Sequence, residues 1–160
     1  YGHVETVEHR LEHMALLRDL QDETGGFTAF ITWNFQPEST DLGADAERWN
    51  GFKATGFDHL RTVAVSRLFF DNIDNLQASW VTQGPRIAQV SLRYGVNDFG
   101  STMLEENVVS AAGTSHTNEM DLEAMERLIA DAGYEPKRRN TRYELVATRP
   151  RLQPPALRAS

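Results

Sequence analysis

Apolar residues in the first stretch of the chain fall at Val7, Leu11, Met14 and Leu17, within a run rich in Glu and Arg and free of Gly and Pro. That spacing predicts a helix from Glu5 to about Asp22, closed by Gly25-Gly26. "FTAFITWNF", 27–35, switches to aromatic and β-branched residues and predicts a strand stopped by Pro37. A polar loop from Gln36 to about Ala54 follows, of a length that goes with function or disorder. Thr55 stands where an N-cap belongs, before a helix expected to run to about Phe70 and to bury Phe57, Leu60, Val63, Ala64 and Leu68. The next apolar run, "NLQASWVT" at 75–82, predicts a second strand, yet it ends in Ser79, Trp80, Thr82 and Gln83, a composition suited to a pocket wall. Gly84-Pro85 opens a third helix, with proline in its first turn, and Gly95 closes it. "VNDFG", 96–100, is short enough for a third strand; Thr102 precedes a helix ending at Gly113, and Asp121 caps a last one through Ala132.

Strand alternating with helix is the pattern of parallel βαβ units, and the fold class is α/β. A doubly wound sheet and a (β/α) barrel both fit. If the opening Tyr-Gly-His is the end of an earlier strand, there are four β/α units, half of an eightfold barrel. Such a half leaves two sheet edges open, so we expect the chain to be the remainder of a longer protein. The half barrel is assigned to residues 1–145. Residues 146–160, with three prolines and little to bury, are expected to be a disordered tail.

Composition narrows the chemistry. The formal charge of −7 leaves no basic stripe for a nucleic acid, and the one basic cluster, Lys137-Arg138-Arg139 with Arg142, lies in a late polar segment. No apolar run approaches the ~20 residues that span a bilayer, and the default expectation is a cytoplasmic address. With no cysteine in its 160 residues, the chain itself offers no disulfide, thiol nucleophile or iron–sulfur ligand.

In parallel α/β folds the site lies at the carboxyl ends of the strands. Those ends carry Trp33, Asn34 and Gln36; Ser79, Trp80 and Gln83; and Asn97 with Asp98. Flat indoles beside amides and one carboxylate suit a ligand with a ring and hydroxyls; each residue taken singly could equally be packing or capping. Glu105-Glu106 sit in a first helical turn, where the macrodipole alone accounts for them. "HRLEH", 9–13, matches an inverted zinc-protease pattern, but at ~100° per residue both histidines lie away from Val7, Leu11 and Met14, which makes the segment an ordinary charged surface. His3 differs, standing at a strand end beside Gly2 and before Glu5; His59 and His116 have no evident companions.

Over "FITWNFQP", "IDNLQASWVTQGP" and "NDFGSTMLEENVVSAAG" the chain resembles the C-terminal half of the radical S-adenosylmethionine enzyme dehypoxanthine futalosine cyclase, of menaquinone biosynthesis. The likeness extends over nearly all of residues 1 to about 145. Aminofutalosine synthase and the F0 synthase subunits share the general pattern and are alternatives, as is a noncatalytic nucleoside-binding half barrel. The resemblance implies a (β/α)8 TIM-type barrel whose complete form binds a [4Fe–4S] cluster through C-x3-C-x2-C and uses S-adenosylmethionine to cyclise dehypoxanthine futalosine. The cluster ligands are then expected in a missing N-terminal half. The same resemblance implies that Gly2, His3, Glu5, Phe35 and Gln36 bind S-adenosylmethionine, that Trp33, Ser79, Trp80, Gln83 and Asn97 face the substrate, and that Asp98 binds sugar hydroxyls or takes a proton. Thr32, where the pattern leads one to expect proline, and Ser39-Thr40 depart from it.

Overall fold

A computed structural model describes residues 1–45, 47–49, 51–103, 111 and 120–147. The elements in chain order are α1 (Val7–Thr24), β1 (Phe30–Ile31), α2 (Asp41–Ala44), α3 (Gly56–Phe69), β2 (Leu76–Gln77), α4 (Trp80–Gln83), α5 (Pro85–Ser91) with a 3-10 turn at Leu92–Tyr94, and α6 (Leu122–Asp131). Local signals set most boundaries. Thr6 and Thr55 each close a capping box, with His9 and Asp58 as the reciprocal partners, and Asp121 accepts from the Ala124 amide. Gly25 and Gly95 end their helices in the left-handed conformation.

β1 and β2 pair in parallel, Phe30 opposite Leu76 and Ile31 opposite Gln77. Two further segments extend the array. The Tyr1 backbone nitrogen donates to the Trp33 carbonyl at 2.8 Å while the Phe35 amide donates to the Tyr1 carbonyl at 2.7 Å, the exchange that a parallel neighbour of Asn34 makes. On the other side Gln77 bridges Asp98 in parallel. The order across the array is therefore Tyr1, β1, β2, Asp98, with helices in the connections. This is an α/β arrangement around a parallel sheet.

The expected strands 27–35, 75–82 and 96–100 are thus much shorter than the apolar runs predict. After Ser79 the chain does not stay extended: Trp80, Val81 and Thr82 coil into α4 and are buried. That explains why a core-like run finishes on hydroxyls and an amide, since helical turns put successive side chains in different directions.

The core is made by Val63, Leu76, Ala78, Trp80, Val81, Ala88, Leu92, Val96 and Phe99, with Met120 and Met125, and a smaller cluster joins Met14, Phe70 and Ile73. Phe30 and Leu76 face these helices; Phe30 lies 4.6 Å from Phe70, ring to ring. One expectation fails on α3. Phe57 and Leu68 are exposed, and the inward stripe is His59, Leu60, Thr62, Val63 and Ser66. Hydroxyls can be buried there because Thr62 and Ser66 donate to the Asp58 and Thr62 carbonyls of their own helix. On α1 only Met14 is buried, while Val7 and Leu11 are exposed. Among the described residues no helix is long and apolar enough to cross a membrane.

Candidate functional site

Cross-strand partners point to the same face, so the register sets Ile31, Gln77 and Asp98 side by side on the face opposite Phe30 and Leu76. This face carries polar groups of the third segment and of the C-terminal stretch. Asp98 is 9% exposed. Its Oδ1 accepts from the Gly100 amide at 2.6 Å, and its Oδ2 from the Arg139 guanidinium. The Arg139 guanidinium lies 4.0 Å over the Tyr143 ring, and the Tyr143 hydroxyl donates to Gln77 at 3.3 Å. Hydrogen bonding to Asp98 raises the Arg139 pKa, and burial, then the Asp98 charge, raise that of Tyr143, so both are donors at neutral pH. Gly100, at φ +93°, leaves room for this: a Cβ there would stand 2.9 Å from the Gln77 amide nitrogen.

At the opposite edge, Gly2, His3 and Glu5 form a compact corner. The Gly2 and His3 amides donate to the Glu5 carboxylate at 2.6 and 3.0 Å, and Arg10 Nε at 2.8 Å. Partial burial alone would raise the Glu5 pKa; the amide donors and Arg10 outweigh it and lower it to about 2. Gly2 takes φ +83°, and a Cβ there would touch Ala54 at 3.0 Å. The His3 ring leans on Phe35, 5.0 Å between centroids, and Phe35 meets Trp49 edge-on at 5.9 Å. His3 Nε2 is buried with no hydrogen-bond partner. Behind this corner the Tyr1 hydroxyl meets His59 Nδ1 at 3.0 Å, and burial lowers the His59 pKa to about 4.

Between the two edges, Asn34 Oδ1 accepts from both Gln36, at 3.2 Å, and Gln83. The structure therefore joins one residue expected at the cofactor to one expected at the substrate through an amide between them. Trp33 is 52% exposed, whereas Trp80 is 2% exposed and packs in the core, and Ser79 bonds to Thr82 in a buried local pair. Asn97 lines the same cavity as Asp98, but its amide is engaged at the start of β2. Its side chain takes the Leu76 amide and Arg67 at 2.8 Å each, while Arg67 also clasps the Gly95 and Asp74 carbonyls at the amino end of β2. His9 and His13 are exposed, His9 serving the α1 cap. Glu105, Glu106 and His116 lie outside the described residues.

Gln77, Arg139, Tyr143, Asn34 and Trp49 complete these clusters. For Gln77 a signal existed, a polar residue alternating with the buried Leu76 and Ala78. For Arg139 the sequence offers only a basic cluster. Among the described residues no group of three or more His, Asp or Glu could hold a metal ion.

A parallel βα array with polar side chains gathered at strand ends and on the face opposite Phe30 and Leu76 defines the class as an α/β protein. Residues 24–151 match the family model for the CofH/MqnC C-terminal region, and the chain belongs to that family. It is 51% identical over 147 residues to the cyclic dehypoxanthine futalosine synthase of Halalkalibacterium halodurans, covering 92% of this chain and 38% of that protein. With its Streptomyces coelicolor counterpart the identity is 46% over 143 residues, covering 89% and 34%. The 5-amino-6-(D-ribitylamino)uracil–L-tyrosine 4-hydroxyphenyl transferase 1 of Methanosarcina acetivorans is 43% identical over 147 residues, covering 91% and 39%. The chain thus spans well under half the length of the curated relatives it matches.

Proposed function

We propose that this chain is the substrate-facing C-terminal half of a (β/α)8 radical S-adenosylmethionine enzyme of the cytoplasm that cyclises dehypoxanthine futalosine on the way to menaquinone. The half barrel is assigned to residues 1–145; residues 148–160 lie outside the described residues. The observation that carries the choice of substrate is the 51% identity, over 92% of the chain, to a cyclic dehypoxanthine futalosine synthase.

The residues present fit one of the two implied cofactors. The chain has no cysteine to ligate a [4Fe–4S] cluster, and the described residues form no metal-binding group. S-Adenosylmethionine fits better, since the unpartnered His3 Nε2 lies beside the Phe35 ring, with Gln36 adjacent. When bound, that cofactor supplies the hydrogen-abstracting chemistry. Gly2 and His3 would line its nucleoside end, and Glu5 would fix their backbone. Trp33 and Gln83 would wall the substrate, with Ser79 and the core-packed Trp80 anchoring the start of α4. Asp98 would hold sugar hydroxyls: of a carboxylate's roughly four acceptor positions, the Gly100 amide and Arg139 occupy two.

The test is product analysis. The full-length protein, reconstituted with iron, sulfide and S-adenosylmethionine under reducing conditions, is offered dehypoxanthine futalosine, and separately 5-amino-6-(D-ribitylamino)uracil with L-tyrosine. We expect cyclic product from the first alone. Turnover of the second pair alone would favour the transferase reading, which rests on the 43% identity to the Methanosarcina protein. Binding without turnover of either would favour a nucleoside-binding module.

A further inference from the structure

The stretch after α6 folds back as a short antiparallel turn, with Arg139 bridging Leu145 and the Asn140 amide bonded to the Glu144 carbonyl at 3.0 Å. Asn140 braces it from within: its Oδ1 accepts from the Arg142 and Glu144 amides at 2.8 and 3.1 Å. Tyr143 sits at the bend with φ +64°, the one non-glycine residue at positive φ among the described residues. Asn, Asp or Gly is the usual choice there, and an aromatic residue is a strained one. The strain aims its ring beneath the Arg139 guanidinium and its hydroxyl at Gln77. Arg139 reaches Asp98, whose side chain is only 7% exposed, with its own 22% exposed. Asp98, Gly100, Arg139 and Tyr143 together line a cavity of about 390 Å³ between the 96–100 stretch, α6 and this turn.

We infer that the 139–145 turn is part of the ligand site, with Arg139 a positioning residue that aims the Asp98 carboxylate and Tyr143 a specificity-determining residue for a polyhydroxylated, sugar-bearing ligand. The inference rests on the role proposed above for Asp98. The Gly100 amide on Oδ1 and the Arg139 Nε on Oδ2 together hold the carboxylate by both oxygens and leave further lone pairs for hydroxyl donors. Tyr143 then sets which donors a ligand meets in the cavity, because its hydroxyl ties Gln77 to the Arg139 guanidinium in the cavity lining. Neither task follows from fold maintenance alone: a merely structural ion pair needs no strained tyrosine under it.

The test uses the cluster-free full-length protein and dehypoxanthine futalosine as probe, with binding followed by calorimetry, and the loaded enzyme for the split between KM and kcat. Asp98→Asn and Arg139→Met are each expected to weaken binding by about tenfold, the scale of a hydrogen bond to a charged group. The double variant should be no weaker than the worse single one, since the two act as a unit. Arg139→Lys should recover part of the loss, and Tyr143→Phe should raise KM severalfold at unchanged kcat. If Asp98→Asn weakens binding while Arg139→Lys and Tyr143→Phe bind as the parent does, the turn is structural and this inference falls while the role of Asp98 stands. If Asp98→Asn binds normally, both fall. Should Arg139→Met not fold, Arg139→Lys and Tyr143→Phe decide the matter.

Discussion

Two carboxylates stand at opposite edges of the same array, each paired with an arginine, and they are held in different ways. Glu5 finds its donors within a few residues: the amides of Gly2 and His3 and, five positions on, Arg10. Asp98 takes one amide from Gly100, and its arginine comes from 41 positions away. The first arrangement is a local turn that needs little beyond its own backbone. The second exists only when the C-terminal turn is docked. Local polar geometry can be written into a short motif, whereas long-range polar geometry is a property of the assembled fold.

The largest expected effect tests that contrast directly. Arg139→Met strands a carboxylate 7% exposed with a single amide donor, and should cost about 3–5 kcal/mol, the range for removing one partner of a buried pair. Arg10→Met leaves Glu5 with two amide donors and 22% exposure, and should cost about 1–2 kcal/mol. Urea unfolding midpoints at constant m-value give both numbers. Equal costs would erase the distinction between the two edges.

The same distinction governs what could be read in advance. Helix ends were legible because their chemistry is local: Thr55, Gly84-Pro85, Gly95 and Asp121 all do what their residue types suggest. The face of α3 was legible only in part: of the expected Phe57, Leu60, Val63, Ala64 and Leu68, Leu60 and Val63 are buried while Phe57 and Leu68 are exposed, and His59, Thr62 and Ser66 complete the inward stripe. Nothing in the residues announces that Thr62 and Ser66 will satisfy themselves on their own helix. At the site, Gly2, His3 and Glu5 were legible as a strand-end motif, and they converge. Arg139 and Tyr143 were invisible, since a basic cluster in a polar segment carries no mark of the carboxylate it will meet. Neighbours in sequence also part company. The Asn97 side chain serves the amino end of β2 while the Asp98 carboxylate meets Arg139 of the C-terminal turn, because adjacent residues of an extended segment point oppositely.

Acid should act next most strongly, and at the Tyr1 edge. His59, fully buried behind Tyr1, has its pKa lowered from 6.5 to about 4 by desolvation. The unfolded chain then binds the extra proton throughout that window, so stability is fully present above about pH 6.5 and is lost as pH falls toward 4. The loss should be on the order of 2–3 kcal/mol. Glu5, lowered from 4.5 to about 2, has the same sign in a lower window: its contribution is present above 4.5 and disappears as pH falls through 2. Stability measured from pH 7.5 to 2 should therefore fall first through the His59 window and then through the Glu5 window, and His59→Gln should flatten the first while leaving the second. A single fall that His59→Gln leaves untouched would move the acid-sensitive group elsewhere.

The smallest effect sharpens the comparison because it loosens one edge without touching either carboxylate. Thr55 caps α3, accepting from the Asp58 amide at 3.3 Å while Asp58 accepts from the Thr55 amide and hydroxyl. The helix start it fixes carries His59, and so the seat of the Tyr1 ring. Thr55→Ala should cost about 1 kcal/mol. Its reach is the informative part. A fraying first turn of α3 releases His59 and Tyr1, so the amides of Asp58, His59 and Phe35 should exchange with solvent several times faster, as local opening energies fall. The Ala78 amide, bonded to the Asp98 carbonyl at 2.8 Å on the far side of β2, should keep its protection beyond the global change. Hydrogen exchange read residue by residue separates the two cases. If Ala78 accelerates in step with His59, the array opens as one unit and the independence of its edges is lost; if it does not, the local corner and the long-range corner are separate cooperative parts of one sheet.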